Sequence, residues 1–89
     1  MIFCFTQNSW EDYLFWQDNG KKTRRKINEL LKDISRNGAN LGIGKPEPLT
    51  GNLSGFYSRR IDEKNRFVYK VEGESIYILS CRYHYSAND

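Results

Sequence analysis

Glu47 stands between two prolines in Gly44-Lys45-Pro46-Glu47-Pro48-Leu49, and paired guanidiniums follow in Ser58-Arg59-Arg60. Arg66 opens an apolar run further on, and the chain's one histidine comes near its end as His84-Tyr85. Residues of these types are what metal-free cleavage of an RNA strand requires. One group must take the proton of a 2′-hydroxyl, a second must protonate the departing 5′-oxygen, and cations must stabilise the phosphorane between them. Glu47 can be the base. His84 can be the acid, because an imidazole ordinarily titrates near neutrality. Arg66 can hold the phosphate, with Arg59, Arg60 and Lys45 in reserve; a guanidinium keeps its proton, but its planar fork matches phosphate well. Tyr83 and Tyr85 can stack on bases. Taken singly, each has a plainer explanation: a solvated loop carboxylate, a strand edge guarded by charge, a turn-exit arginine, a terminal surface histidine.

The backbone around Glu47 is stiff by composition. Proline fixes its own φ, and a residue before proline is pushed from helical into extended backbone, so Lys45 and Glu47 are both expected to be extended. Asn37 to Asn52, with four glycines and two prolines, has no apolar period and reads as a long functional connection. Ahead of it, Ile27, Leu30, Leu31 and Ile34 recur at i, i+3, i+4 and i+7, which predicts a helix from Lys21 to about Arg36. Lys21, Lys22, Arg24, Arg25, Lys26 and Lys32 crowd its other faces. An earlier helix is expected to start at Asn8 or Ser9, each followed three positions later by an acid, and to bury Trp10, Tyr13, Leu14 and Phe15 before stopping at Asn19-Gly20. Met1 to Thr6 reads as a strand, as do Phe56–Ile61, Arg66–Glu72 and Ile76–Tyr83. Alternation in the last would put Ile76, Ile78, Ser80, Arg82 and His84 on one side. The expected architecture is α+β, in the order β-α-α-β-β-β, with two helices on one face of a four-stranded, mainly antiparallel sheet and a basic cleft on the other.

Composition bounds the rest. Eighty-nine residues suit one domain with one core, and two tryptophans, six tyrosines and five phenylalanines argue against disorder. Residues 1–85 are read as that domain and 86–89 as a short tail. The net charge of +3 understates a basic middle flanked by acidic ends. Beside aromatics this is the footprint of a nucleic-acid binder, although a solvated helix face produces it too. Cys4 and Cys81 have neither CxxC nor Cys/His spacing and read as core residues in a reducing compartment. The N-terminus lacks signal-peptide character and no run reaches membrane-spanning length, so a cytoplasmic location is expected. Phosphate-loop, triad and metal-ligand patterns are missing from the sequence.

Several separated stretches, taken together and in order, resemble the YoeB toxins of the RelE superfamily. They are Trp10 to Gln17, Lys26 to Leu30, Gly44 to Leu49, Asn52-Leu53-Ser54-Gly55, Ser58 to Ile61 and Arg82-Tyr83-His84-Tyr85. The resemblance spans nearly all of residues 1–85. It implies a RelE-like fold and a cytoplasmic bacterial endoribonuclease that enters the ribosomal A site, cuts mRNA there and stops translation. It further implies a homodimer, no metal or other cofactor, and silencing by an acidic YefM-like antitoxin. Carried over by position, Glu47 becomes the general base, His84 the general acid and Arg66 the phosphate-stabilising residue, with Lys45, Arg59, Arg60 and Tyr85 touching substrate. Thr50 departs from the pattern, since many YoeB-like sequences have lysine there, and Ser86-Ala87-Asn88-Asp89 runs past the usual terminal tyrosine. The competing reading is a module of the same fold that binds RNA or antitoxin without cutting.

Overall fold

The computed structural model describes residues 1–83. Strand β1 (Ile2–Phe5) leads into helix α1 (Gln7–Asn19), and α2 (Lys21–Asn37) follows directly. Next come a two-residue strand β2 (Glu47–Pro48), a 3₁₀ turn at Gly51–Leu53, and the meander β3 (Tyr57–Arg60), β4 (Arg66–Glu72) and β5 (Ser75–Ser80). The helices carry the chain from one sheet edge to the other, and the meander marches back until β5 lies beside β1. The sheet order is therefore β1-β5-β4-β3-β2, with β1 parallel to β5 and every other pair antiparallel. The α+β class and the helix pair on a mainly antiparallel sheet are as expected. The sheet has five strands rather than four, because Glu47–Pro48 pairs with Ser58 and Tyr57 instead of remaining loop.

The strongly periodic α2 buries Ile27, Leu30, Leu31 and Ile34, the four residues its pattern selects, against Phe67, Tyr69, Ile76 and Ile78 of β4 and β5. Its C-terminus closes when the N–H of Gly38, at φ +87°, donates to the Ile34 carbonyl at 2.9 Å.

Helix α1 departs from expectation. Its N-cap is Thr6, two residues ahead of Asn8: the Thr6 hydroxyl accepts from the Ser9 N–H at 3.0 Å and the Ser9 hydroxyl accepts from the Thr6 N–H at 2.9 Å. That start turns Ser9, Asp12, Tyr13 and Trp16 inward and leaves Trp10 at 46% and Leu14 at 43% exposure. The inward stripe carries polar atoms because it meets the end of β5, where strand pairing has ceased. Asp12 accepts from the Cys81 N–H at 3.1 Å and the Trp16 indole donates to the Cys81 carbonyl at 2.8 Å. Burial holds the Asp12 carboxyl above its ordinary value, against the Cys81 N–H bond that lowers it, and burial pushes the Cys81 thiol up to about 12.

The last strand also differs. A bulge between β4 and β5 leaves Leu79 without a counterpart: Tyr69 faces Ile78, but Val68 faces Ser80. Side-chain parity reverses there, so Cys81 joins Ile76 and Ile78 in the core, and β5 ends at Ser80 rather than Tyr83. Arg82 leaves the sheet and lays its guanidinium over the Phe15 ring, 3.4 Å from the centroid.

Replacing Thr6 by Ala is expected to cost about 1 kcal/mol by removing the cap, while Asn8→Ala is expected to cost little. Paired urea melts check this, and the reverse ranking would place the helix start at Asn8.

Candidate active site

Strand alternation decides what each face of the sheet carries. Tyr57, Arg59, Phe67 and Tyr69 turn toward the helices, so Glu47, Ser58, Arg60, Arg66, Val68 and Lys70 share the other face. On that face Glu47 lies opposite Ser58, which lies opposite Val68; two residues along, Arg60 lies opposite Arg66. A carboxylate and two guanidiniums that are far apart in sequence are thus gathered on three adjacent strands. Glu47 and Arg60 are exposed, and Arg66 is half-buried.

Arg66 is held by its own hairpin turn. Its Nη1 donates to the carbonyls of Asp62 (2.7 Å), Asn65 (3.2 Å) and Glu63 (3.3 Å). The turn is tied by Asp62, whose carboxylate accepts from the Lys64 N–H at 2.8 Å and from the Asn65 N–H at 2.7 Å. Partial burial works to raise Asp62, but the hydrogen bonds from Asn65 and Lys64, together with the charge of Arg66, leave it below its ordinary value. The C-terminal segment docks on the same turn. The Arg66 N–H donates to the Tyr83 carbonyl at 3.1 Å, and the Tyr83 N–H donates to Asn65 Oδ1 at 2.6 Å. Tyr83 takes a left-handed φ of +64°. His84 and Tyr85, which follow it in sequence, lie outside the described residues, as does the tail 86–89.

Arg59 is corrected. Expected at the substrate, it is instead 0% exposed and sits on the helix face, because adjacent residues of a strand point to opposite sides and only Arg60 can face outward. All five of its N–H donors are used. Nε donates to the Tyr69 hydroxyl (2.8 Å), Nη1 to Asp33 (2.5 Å) and the Ile43 carbonyl (3.0 Å), and Nη2 to the carbonyls of Leu41 (2.8 Å) and Gly38 (2.9 Å). Asp33 in turn accepts from the Ile43 N–H at 3.0 Å, and the Tyr69 hydroxyl donates to the Ala39 carbonyl. This buried guanidinium therefore ties down the loop from α2 to β2 in place of regular secondary structure. The loop fits only with glycine: a Cβ on Gly42, at φ +121°, would fall 1.8 Å from Asp33 Oδ2. The hydrogen bond from Arg59 holds Asp33 below its ordinary carboxylate value, with the Ile43 N–H and Asn37 adding to it against desolvation.

Lys45 departs from expectation in conformation. It has a left-handed φ of +54° rather than extended backbone, at the point where the chain turns from the Arg59-held loop into β2. Gly44 beside it accepts from the Arg60 N–H at 2.7 Å, which joins the loop to β3 just before Glu47 enters the sheet. Lys45, Lys26 and Arg60 line a shallow cleft of about 390 Å³ that shares Lys26, Ile61 and Asp62 with a second cleft of about 560 Å³ under Lys22 and Arg25. The basic face of α2 thus continues toward the sheet face that holds Glu47 and Arg66.

This arrangement has counterparts among known proteins. Residues 5–85 match the family described as the YoeB-like toxin of the bacterial type II toxin–antitoxin system. The chain belongs to that family. It is 53% identical over 85 residues to Toxin YoeB of Escherichia coli strain K12, covering 96% of this chain and 100% of the relative. Among solved structures it is similar to Staphylococcus aureus YoeB in the YoeB–YefM complex, at TM-score 0.90 and 54% identity over 96% of this chain and 98% of that one. The same figures hold for the S. aureus YoeB dimer. Among the described residues of this YoeB-like chain, no helix is long and apolar enough to cross a membrane.

Tyr69→Phe removes one acceptor of Arg59 and the donor to Ala39, and is expected to cost about 1–3 kcal/mol, read as a lower urea midpoint. Arg59→Lys should cost more, because an ammonium has three donors and no fork. The Asp33 contribution has a pH signature. Its lowered value means the stabilisation is full above the ordinary carboxylate range and is lost as pH falls through the folded value. The stability gap between wild type and Asp33→Asn should therefore shrink on acidification; a gap independent of pH would contradict the ion pair.

Proposed function

We propose that this chain is a ribosome-dependent endoribonuclease that cuts mRNA in the A site, acts in the cytoplasm as a homodimer, and is silenced by an acidic YefM-like antitoxin. The observation that carries the reading is the gathering of Glu47, Arg60 and Arg66 on one sheet face, with Tyr83 bonded at Arg66 one residue before His84. Membership of the YoeB-like family supports the toxin role, and the S. aureus complex and dimer support the antitoxin and the self-association.

In the proposed reaction the Glu47 carboxylate takes the proton of the 2′-hydroxyl, and the freed 2′-oxygen attacks the adjacent phosphorus. Arg66, with Arg60 and Lys45, stabilises the charge on the phosphorane. The bond from phosphorus to the 5′-oxygen breaks as His84 delivers a proton to that oxygen. The upstream fragment ends in a 2′,3′-cyclic phosphate and the downstream fragment begins with a 5′-hydroxyl. Tyr85 contributes by stacking on substrate.

Glu47→Gln and His84→Gln are each expected to lower cutting by roughly 10²–10⁴-fold while ribosome and antitoxin binding persist, with primer extension on a translated message as the measurement. Normal cutting by both variants would remove these residues from the mechanism. No cutting by the wild type would favour a module that binds without cleaving.

Lys21, Lys22, Arg24, Arg25 and Lys26 are assigned to ribosomal RNA, since Lys22, Arg25 and Lys26 line a cleft that adjoins the one lined by Lys45 and Arg60. Reversing several of these charges should weaken ribosome binding and flatten its salt dependence. An unchanged salt slope would make the helix a solvated face only.

A further inference from the structure

The sheet face that holds Glu47 carries a second feature at its other end. A groove of about 380 Å³ opens there, lined by Phe56, Lys70, Tyr77, Cys4 and Leu79. Lys70 lies opposite Tyr77, and Tyr77 lies opposite Cys4, so one row of side chains crosses β4, β5 and β1. The Lys70 ammonium sits 5.4 Å from the ring centroids of both Phe56 and Tyr77. The row of Glu47, Ser58 and Val68 is two residues away along β4, a step of about 7 Å, and Glu47 lies a further two strands, about 10 Å, across from Val68.

We infer that the groove bounded by Phe56, Lys70 and Tyr77 is a subsite for a nucleotide of the RNA strand flanking the cut, its base stacked on an aromatic ring and its phosphate on Lys70. The inference rests on the endoribonuclease reading and extends it. Three features favour RNA. Aromatic rings accept any base, because every base has a π-face, and a cation among them supplies the backbone contact. Lys70 is available for exchange: its pair with Glu72 is 3.5 Å long and joins a half-buried lysine to an exposed carboxylate, so it is worth little and a phosphate can replace it. A peptide that added as a strand would pair at the outer edge of β1, whereas Lys70 and Tyr77 lie inward on β4 and β5, whose neighbours on both sides are already hydrogen-bonded. Neither Lys70 nor Tyr77 has a part in the acid–base chemistry, so the subsite should affect binding of the message rather than the chemical step.

Steady-state cutting of a ribosome-bound message tests this. Tyr77 is 39% exposed, so its replacement leaves the core intact. Tyr77→Ala is expected to raise KM by about 5- to 100-fold with kcat within about twofold, and Tyr77→Phe to restore the wild-type KM. Lys70→Gln should raise KM and lower the salt slope by about one. Unchanged KM in both Tyr77→Ala and Lys70→Gln would overturn the subsite, as would a loss in kcat alone. If these two variants cut normally but lose affinity for an acidic antitoxin, the groove takes peptide and the inference is wrong. Should the wild type make no cut, the endoribonuclease reading fails separately. Equilibrium binding of wild type and Tyr77→Ala to the same programmed ribosome then decides the subsite, and equal affinities overturn it.

Discussion

A single buried guanidinium underlies the geometry of the Glu47 side of the site. The loop between α2 and β2 exposes backbone carbonyls to the interior without a ladder to receive them, and unpaired buried carbonyls are costly. Arg59 meets that need with donors to Gly38, Leu41 and Ile43, and its charge is balanced by Asp33 from α2 and shared with the Tyr69 hydroxyl of β4. An apolar side chain of similar volume would leave those carbonyls unsatisfied, so the case for an ion pair in the core is the loop it secures rather than the pair itself. The Gly44 carbonyl and Arg60 N–H then join the loop to β3, and Glu47 enters the sheet three residues later.

A second polar clamp acts at the other end of the chain. Asp12 and Trp16 hold the N–H and carbonyl of Cys81 where β5 has stopped, and Arg82 packs on Phe15. Asn65 and Arg66 then receive the backbone of Tyr83. The two clamps serve one purpose: segments without regular secondary structure are fixed to helices and turns by side chains that satisfy their backbone. Loops fixed in this way can carry reactive groups with the precision of strands, which a proton-transfer site requires.

How much of this was legible in the sequence follows from the kind of signal each element carries. Helix α2 could be read because four apolar residues at helical spacing all face one core, and β4 because its bounds are set by charged turns on both sides. Glu47 and Arg66 could be singled out from residue type and stiff backbone, but their shared face depends on register, which no local pattern specifies. Arg59 was misread because the sequence shows two adjacent arginines and not which one points inward; strand alternation supplies that answer only once Tyr57 and Phe67 are known to face the helices. The inward stripe of α1 is partly polar, so apolar spacing points to Trp10 and Leu14 rather than to Ser9 and Asp12. The Leu79 bulge leaves no mark in composition, and it reverses the faces that alternation alone would give Ser80 and Cys81.

In the proposed reaction a 2′-oxygen attacks and the bond to the 5′-oxygen breaks, with proton transfers by Glu47 and His84. End-group analysis of a message cut on translating ribosomes by the purified protein tests this most directly. The expected products are downstream fragments with a 5′-hydroxyl, which a kinase can phosphorylate without prior phosphatase treatment, and upstream fragments ending in a 2′,3′-cyclic phosphate. Downstream fragments bearing a 5′-phosphate would mean that water attacked and the other bond broke, and would contradict this reaction.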